Sequence, residues 1–340
     1  MFRLLLLADT HVGFDLPRRP RVKRRRRGDD FLRNYRLALE PARRGEVDLV
    51  VHGGDLFHRR DADPGLVQLA LEPLLELAER GVQVALVPGN HEGSRIPCPL
   101  LCRHALLHVF RQPGTLAFTP RGIAVALGGF PFVRQVGLNF RKTLSRSGLL
   151  QQAAQVRLLV MHQSVEGAKV GPVDFTFRPG RDVVRGADLP AGLAAVMSGH
   201  IHHHQVLTHD LRGKRLSAPV LYPGSVERTA FAERGEPKGY LLLDIAPDAA
   251  GGTLVRQRLV RLPARPMVLL ELSAQDLPGE PELRRRLADL PNDAVVRLTI
   301  HGLAPDQPAP FSAMSLRALC PPTMNIELRL PPRPLSALAV

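Results

Sequence analysis

Seven side chains that could bind a metal ion occur just after short apolar runs of this 340-residue chain. In chain order they are Asp9, His11, Asp55, Asn90, His162, His200 and His202. Residues two apart in extended backbone point to the same side, so Asp9 pairs with His11 and His200 pairs with His202. Imidazole, carboxylate and carboxamide donors suit Mn, Fe, Zn or a similar ion, whereas the lack of thiolates argues against a structural zinc site.

The number of donors favours two metal ions over one. An ion that must keep a position for water cannot use seven ligands, but a bridging carboxylate at Asp55 would divide them between two ions. Two ions ~3.5–4 Å apart can clamp the attacking and leaving oxygens of a phosphoryl transfer and supply hydroxide near neutral pH. Each motif alone also occurs by chance, since Gly-Asn is common turn chemistry. The hypothesis therefore depends on all five stretches following strands in order.

The apolar runs before the donors are predicted to be strands, which cover residues 2–8, 47–51, 82–87, 156–161 and 193–197. Asp29 and Asp30 are predicted to lie in the N-cap region of a helix that ends at residue 43. A second helix is predicted over residues 63–80, opened by an Asp-Pro pair. This β-α-β-α-β order predicts parallel strands, and open α/β sheets place their chemistry at the carboxyl ends of such strands.

Later segments predict further strands and a smaller domain. Residues 115–118 and 123–127 are predicted to form a hairpin or two edge strands, and residues 139–154 a helix. Two antiparallel pairs are predicted, 206–210 with 220–222 and 239–245 with 253–262. Pro263 and Pro266 mark a boundary between a large domain, residues 1–262, and a small one, residues 263–340. In the small domain, strands at 267–272, 294–301 and 324–330 alternate with helices at 280–290 and 312–319, and the Pro-rich end is predicted to be loose.

The net charge of +14, with a pI near 10.9, indicates a partner of dense negative charge, nucleic acid first. General solubility of an Arg-rich chain is the alternative. The absence of Trp and the three Tyr argue against binding by base stacking on aromatic platforms. Within a basic loop at residues 18–27, the consecutive Arg24, Arg25, Arg26 and Arg27 would contact DNA phosphates without reading sequence, unless the loop is simply solvated.

Three cysteines cannot all pair, so the chain is predicted to be reduced and cytoplasmic. Cys98 and Cys102 with His104 form a weak alternative metal motif, because no second cysteine pair accompanies them. The first apolar run is far too short to span a membrane and ends in Asp-Thr-His rather than a small-residue cleavage site. We therefore expect neither a signal peptide nor a transmembrane segment.

The ordered motifs D-x-H, G-D, G-N-H-E, H and G-H-x-H resemble those of the calcineurin-like metallophosphoesterases. Four further stretches resemble the SbcD-type DNA-repair exonuclease subunits: GDLFH at 54–58, MHQ at 161–163, YPGSVER at 222–228 and KGY at 238–240. The resemblance covers about residues 1–262. It implies an α/β (α+β) fold, namely a four-layer αββα sandwich with a small C-terminal α/β capping domain.

The resemblance also implies roles for individual residues. Asp9, His11, Asp55 and His202 would hold one metal ion, and Asp55, Asn90, His162 and His200 the other. His91 would protonate the leaving oxygen or stabilise its charge, and His58 would assist near the phosphate. From the residues alone, His91 follows a ligand directly and so points away from that metal towards substrate, and imidazole exchanges protons near neutral pH. Glu92 is predicted to hold His91 by a hydrogen bond, and His203 and His204 are assigned no role.

The combined expectation is a metal-dependent phosphodiesterase with two ions, manganese by resemblance, acting on DNA ends or hairpins. Exonuclease activity is expected, and endonuclease activity is left open. The alternatives are a phosphoesterase for nucleotides or phosphoproteins, and a non-catalytic subunit that presents DNA. The family partners an SbcC-type ATPase through segments beyond the cap. Because the tail contains no long amphipathic helix pair, a stand-alone enzyme or a homodimer is the competing expectation.

Overall fold

A computed structural model describes residues 1–17, 23–93, 95–97, 103–171, 175–304 and 307–330. These residues form two compact units, one of Met1–Phe14 with Asp30–Pro263, and one of Asp15–Asp29 with the chain from Ala264 onward. The segment 15–29 therefore groups with the C-terminal unit, which the predicted boundary at residue 263 did not anticipate. Cys98, Cys102 and the Pro-rich end, residues 331–340, lie outside the described residues.

The first sheet of the large unit is built on parallel strands joined by helices. In spatial order it contains β16 (Thr253–Arg261), β15 (Gly239–Ala246), β1 (Phe2–Leu7), β2 (Leu49–His52), β3 (Gln83–Leu86) and β4 (Leu107–Val109). Strands β1 to β4 run parallel, as the β-α-β-α-β order predicted. Strand β15 runs antiparallel to β1, and β16 antiparallel to β15.

The second sheet has the same mixed character. Its order is β13 (Gln205–His209), β14 (Arg215–Tyr222), β12 (Ala195–Ser198), β7 (Val156–Met161), β6 (Val125–Gly129) and β5 (Gly114–Phe118). The four inner strands are parallel, and both edge strands are antiparallel, so the predicted hairpin and the predicted 206–222 pair are confirmed. Two small pairs join β8 (Ser164–Val165) to β11 (Val183–Val184) and β9 (Lys169–Val170) to β10 (Phe175–Thr176).

Four helices flank these sheets: α1 (Arg27–Ala38), α2 (Glu40–Arg43), α3 (Pro64–Glu79) and α4 (Val136–Ser147). Helix α3 starts as predicted, since the Asp63 carboxylate accepts a hydrogen bond from the Leu66 N–H at 3.1 Å. The predicted start of α1 is wrong. The helix begins at Arg27, and Asp29 lies in its first turn, where it accepts from the Arg26 N–H at 3.2 Å. Helix α4 ends before the predicted residue 154, at a left-handed Gly148.

Alternating side chains of the strands build three apolar layers. Leu5 and Leu7 of β1 pack with residues of α1 and α3, whereas Leu4 and Leu6 pack between the two sheets. The outer face of the second sheet packs against α4, with Phe140 and Leu159 in that core. Each fully buried leucine contributes roughly 1.5–3 kcal/mol. The predicted four-layer αββα sandwich is therefore confirmed.

The small unit has one three-stranded parallel sheet, β17 (Met267–Ser273), β18 (Val295–His301) and β19 (Asn325–Arg329). Helices α5 (Glu280–Ala288) and α6 (Ala313–Leu319) connect its strands, as predicted. Helix α6 has a capping box, in which Ser312 and Ser315 exchange hydrogen bonds. Among the described residues of both units, none of the helices has the length and apolar content that crossing a membrane requires.

Candidate metal centre

The large unit brings the seven predicted donors together at the carboxyl ends of its parallel strands. Asp9 and His11 follow β1, Asp55 follows β2, Asn90 follows β3, His162 follows β7, and His200 and His202 follow β12. The elbows of the two sheets meet directly, since the His200 N–H donates to the Asp9 carboxylate at 3.1 Å. Residues separated by up to 193 positions thus form one cluster.

One part of the cluster contains Asp9, His11 and His202. The Nε2 atoms of His11 and His202 lie 3.0 Å apart, and His202 Nε2 lies 4.0 Å from Asp9 Oδ1. One ligand atom from each of these three residues lies within 4.8 Å of the others. Two imidazole nitrogens at this distance require a proton or a cation between their lone pairs.

The other part contains Asp55, Asn90, His162 and His200. His162 Nε2 lies 3.3 Å from Asp55 Oδ2 and 3.1 Å from Asn90 Oδ1, and His200 Nδ1 lies 2.9 Å from the same Asn90 oxygen. Asp9, Asp55 and His162 also share a 4.8 Å neighbourhood. Both carboxylates, rather than Asp55 alone, therefore lie where the two parts meet.

The backbone of these elbows takes an unusual conformation. Four of the donors have left-handed φ angles without being glycine: Asp9 (51°), His11 (44°), Asp55 (53°) and His200 (81°). Such angles are uncommon for non-glycine residues. Two backbone hydrogen bonds hold the first two elbows together, from the Asp9 N–H to the Gly54 carbonyl at 2.9 Å and from the His11 N–H to the Asp55 carbonyl at 3.0 Å.

Glycines give the donors room. A Cβ at Gly54, whose φ is +103°, would collide with the His162 ring, and one at Gly89 would lie 2.5 Å from the Asp55 backbone nitrogen. Both positions therefore exclude side chains, which explains why the G-D and G-N-H motifs begin with glycine.

Hydrogen bonds fix the orientation of individual imidazoles. His162 Nδ1 lies 2.8 Å from the Gly53 carbonyl, and His202 Nδ1 lies 3.2 Å from Glu233 Oε1. Each Nδ1 therefore donates its proton outward, and each Nε2 faces the cluster. The Nε2 atom of His162 also faces oxygen acceptors, those of Asp55 and Asn90. Either this ring carries a proton on both nitrogens, or a cation lies between Nε2 and those oxygens.

The charges of the cluster shift the titration of its members in opposite directions. Burial lowers the pKa of His162, but the adjacent Asp55 carboxylate more than offsets this and raises it to about 9. Burial and the neighbouring His162 lower the pKa of His200 to about 3. Burial and then the Asp55 charge raise the pKa of Glu92 to about 8. A concentration of opposed shifts in one place is typical of functional sites.

His91 lies at the border of the cluster. Its Nδ1 donates to the His58 carbonyl at 2.8 Å, and its Nε2 lies 3.9 Å from Asp55 Oδ2. Its backbone N–H donates to Asp55 Oδ1 at 3.0 Å. With 38% of its side chain exposed, His91 is the accessible member of a group whose carboxylate is buried.

The His58 ring packs beside those of His11 and His91, with centroids 5.5 Å away in each case, and against Phe14 at 4.9 Å. The predicted bond between Glu92 and His91 is wrong. Glu92 instead accepts from the N–H groups of Phe57 and Gly89, at 2.9 and 2.6 Å, and so ties the G-D elbow to the G-N-H elbow.

Sequence reasoning missed the residues behind His202. Glu233, Thr229 and Lys238 surround its Nδ1 side, with Thr229 Oγ1 2.6 Å and Lys238 Nζ 2.6 Å from the Glu233 carboxylate. The KGY stretch at 238–240 was noted in the sequence, but no local pattern connects it with His202, more than 30 positions earlier. His203 and His204 contact Glu236 and the Tyr222 carbonyl instead of the cluster, at 3.4 and 2.9 Å.

The arginines predicted to bind DNA belong to the small unit. The Arg25 backbone N–H donates to the Pro322 carbonyl at 3.0 Å, and the Asn325 amide donates to the Arg25 carbonyl at 3.1 Å. Arg26 pairs with Asp15 at 3.2 Å, and the Arg27 N–H donates to the same carboxylate at 3.0 Å. Burial, followed by the charges of Arg317 and Arg26, lowers the pKa of Arg24. Several guanidinium groups therefore face one another here.

The donor set fits divalent metal ions. It combines buried imidazole nitrogens, carboxylate oxygens and one carboxamide oxygen, the mixture that Mn, Fe or Zn accepts. The facing Nε2 atoms of His11 and His202 favour a cation between the two rings. The oxygen acceptors around His162 Nε2 favour a second cation between that nitrogen and those oxygens.

Comparison with known proteins agrees with this geometry. A model of the family described as calcineurin-like phosphoesterase matches residues 2–204. The DNA double-strand break repair protein Mre11 of Methanopyrus kandleri is 28% identical over 304 residues, which cover 84% of this chain and 62% of that protein. Mre11 of Haloferax volcanii is 29% identical over 308 residues, with 89% and 62% covered. This chain thus spans about 62% of the length of these relatives.

Among solved structures, a dimetal phosphatase from Danio rerio aligns with a TM-score of 0.43 and 15% identity, over 76% of this chain and 98% of that one. Similarity at this level carries no argument about function. The family model covers 203 residues, well over half of the chain, and its range contains every predicted donor. The chain belongs to the calcineurin-like phosphoesterase family.

Proposed function

We propose that this protein is a metal-dependent phosphodiesterase that cleaves DNA. The observation that carries the proposal is the convergence of seven side chains that could bind metal ions, with the accessible His91 beside them. Its similarity to Mre11 repair proteins and its net charge of +14 support DNA as the substrate over nucleotides or phosphoproteins.

In this proposal Asp9, His11, Asp55 and His202 hold one divalent ion, and Asp55, Asn90, His162 and His200 hold the other. Two bound ions would polarise the phosphate oxygens and lower the pKa of water, so that a nucleophile is available near neutral pH. The Nδ1 hydrogen bonds of His162 and His202 would leave their Nε2 atoms available to bind the ions.

His91 is proposed to protonate the leaving oxygen of the cleaved phosphodiester. The His58 carbonyl accepts a hydrogen bond from the His91 Nδ1–H. The Nε2 atom of His91 is therefore the one available to exchange a proton with substrate. The exposed side chain can meet a phosphate, whereas the buried Asp55 cannot. His58 is proposed to assist near the phosphate chiefly by orienting His91 through that carbonyl.

Arg24, Arg25, Arg26 and Arg27 are proposed to contact the DNA backbone. Among the described residues, Arg24 Nη1 and Arg26 Nε have no hydrogen-bond partner although both atoms are buried. A phosphate would supply oxygen acceptors for such donors and offset the repulsion between the arginine charges. We extend the proposal to manganese as the ion, a cytoplasmic location, and an SbcC-type ATPase or a second copy of the chain as partner.

The test is digestion of end-labelled single-stranded, duplex and hairpin DNA in the presence of Mn²⁺, beside a phosphomonoester assay. We expect DNA cleavage that stops when the metal is chelated and that the Asp55→Ala variant lacks. Cleavage of the phosphomonoester alone would replace the proposal with the nucleotide or phosphoprotein alternative. DNA binding without any cleavage would indicate a non-catalytic subunit.

A further inference from the structure

A buried network of charged side chains lies behind His202. Glu233 Oε1 accepts from His202 Nδ1 at 3.2 Å and from the Thr229 hydroxyl at 2.6 Å. Glu233 Oε2 lies 2.6 Å from Lys238 Nζ, and that ammonium also donates to the His202 carbonyl at 2.9 Å. Lys238 therefore holds both the carboxylate and the backbone of the histidine that the carboxylate contacts.

This network differs from the support of the other oriented imidazoles. His162 and His91 each donate their Nδ1 proton to a backbone carbonyl, of Gly53 and His58 respectively. His202 is the oriented imidazole that meets a side-chain carboxylate instead. A negatively charged acceptor draws the Nδ1 proton more strongly than a carbonyl does and so makes Nε2 the more basic ligand atom.

The network pairs the buried Glu233 carboxylate with a buried cation. The side chain of Lys238 has no exposed surface and is shared between Glu233 and Glu236, whose Oε2 lies 2.8 Å away. The carboxylate that His202 meets is therefore itself held by an ammonium group at 2.6 Å.

We propose that Glu233 is a positioning residue, which accepts a hydrogen bond from the Nδ1–H of His202 and so leaves the Nε2 lone pair for the ion held with Asp9 and His11. The proposal rests on the metal centre of the proposed function. Thr229 and Lys238 keep the carboxylate in place from its other sides. Loss of Glu233 should therefore weaken one of two bound ions and leave the second, held through Asn90 and His162, unchanged.

The test measures Mn²⁺ binding to the chelator-stripped protein by titration calorimetry, with thermal melting of the metal-free protein alongside. We expect two ions in the wild type. Glu233→Gln should weaken one of them by roughly 10–100-fold, as supporting residues of metal ligands typically do, while the other stays within about twofold. Thr229→Val removes a hydrogen bond to the carboxylate and a contact of 3.2 Å between the hydroxyl and His202 Nδ1, but keeps Glu233, and should give a smaller loss.

Glu166→Gln is the matched control, because Glu166 is also a buried carboxylate but accepts from the Gly186 N–H at 3.1 Å, away from the cluster. It should leave both affinities unchanged. NMR of the metal-free protein supplies a second measurement, in which the resonance of the His202 Nδ1 proton should move upfield in Glu233→Gln, because a neutral amide oxygen accepts a weaker hydrogen bond than a carboxylate.

The outcomes separate the two proposals. Two ions bound with unchanged affinity in Glu233→Gln, or an equal loss of both ions with a lower melting temperature of the metal-free protein, would overturn the positioning role. A wild type that binds fewer than two ions would overturn the metal centre itself. In that case an unaltered resonance of the His202 Nδ1 proton in the metal-free Glu233→Gln variant would also overturn the role of Glu233 in orienting His202.

Discussion

The two parts of the centre are oriented by different means. His162 is held by the carbonyl of Gly53, so its direction follows from the path of the backbone. His202 is held by Glu233, a side chain 31 residues further along, within a network of opposite charges. The part that contains His162 should thus be sensitive to added volume near its turns. The part that contains His202 should be sensitive to loss of charge. The path of the backbone thus orients one imidazole, and a charged side chain orients the other.

Removing a carboxylate from the place where the two parts meet should have the largest effect. Asp55→Ala should release both ions, because Asp55 is proposed to bind both and has a ligand atom within 4.8 Å of those of Asp9 and His162. Metal analysis by mass spectrometry should fall from two ions per chain to nearly none, and cleavage to background. His11→Ala and His162→Ala should each lose chiefly one ion. Retention of one ion by Asp55→Ala would mean that Asp55 does not bridge.

A residue that belongs to neither part should separate chemistry from metal binding. His91→Asn should lower the rate of cleavage by roughly 10²–10⁴-fold, the usual contribution of a proton donor. The metal content should remain at two ions, because the backbone N–H that supports Asp55 survives the substitution. The exposed His209 provides the control, and His209→Asn should cleave normally. Loss of metal from His91→Asn would contradict the role assigned to His91.

A methyl group should distinguish the sterically held part from the charged one. Gly89→Ala would place Cβ against Asp55 and should cost about 1–3 kcal/mol of unfolding free energy, with weaker metal binding. Gly235→Ala lies beside Glu233 in sequence, but nothing lies within 4 Å of its Cβ position, and it should change little. Denaturant unfolding of both metal-free variants tests this. Equal stability of the two would refute the steric account of the Asn90 side.

The smallest effect is expected outside both parts. Arg24→Gln should weaken DNA binding and reduce the slope of log affinity against log salt by about 1, without altering metal content. Arg284→Gln, an exposed arginine that pairs with Glu280 at 3.4 Å, is the control of equal charge change. Binding isotherms at several salt concentrations give both slopes. An identical slope for both variants would remove Arg24 from the DNA-binding surface.

Much of the centre could be predicted because its cause is local. Each donor follows a run of buried apolar residues, and the end of such a strand fixes where the next side chains lie. Asp9 and His11 do meet at one edge, but through left-handed backbone at both residues, whereas the prediction assumed an extended chain. The layered arrangement came from the family resemblance, because no local pattern reveals that one sheet packs on another.

Contacts set by distant segments could not be predicted. Glu233 meets His202 only because the chain returns after β14, and Glu92 bonds to Phe57 because two elbows converge. The segment 15–29 reads as a loop next to the D-x-H motif, yet Arg25 bonds to Pro322 and Asn325. The partner of a polar side chain depends on the tertiary fold, and the neighbouring sequence does not reveal that partner.

The left-handed backbone of the donors implies a conflict between stability and activity. The described residues include seven non-glycine positions with such angles, and four of them are proposed ligands: Asp9, His11, Asp55 and His200. Each costs on the order of 1 kcal/mol, and their sum is a sizeable share of a net stability of roughly 5–15 kcal/mol. Glycine at these positions would relax the backbone and abolish the ligand. Their presence is a trade of stability for activity, in which the strained backbone is kept for the ligands it presents.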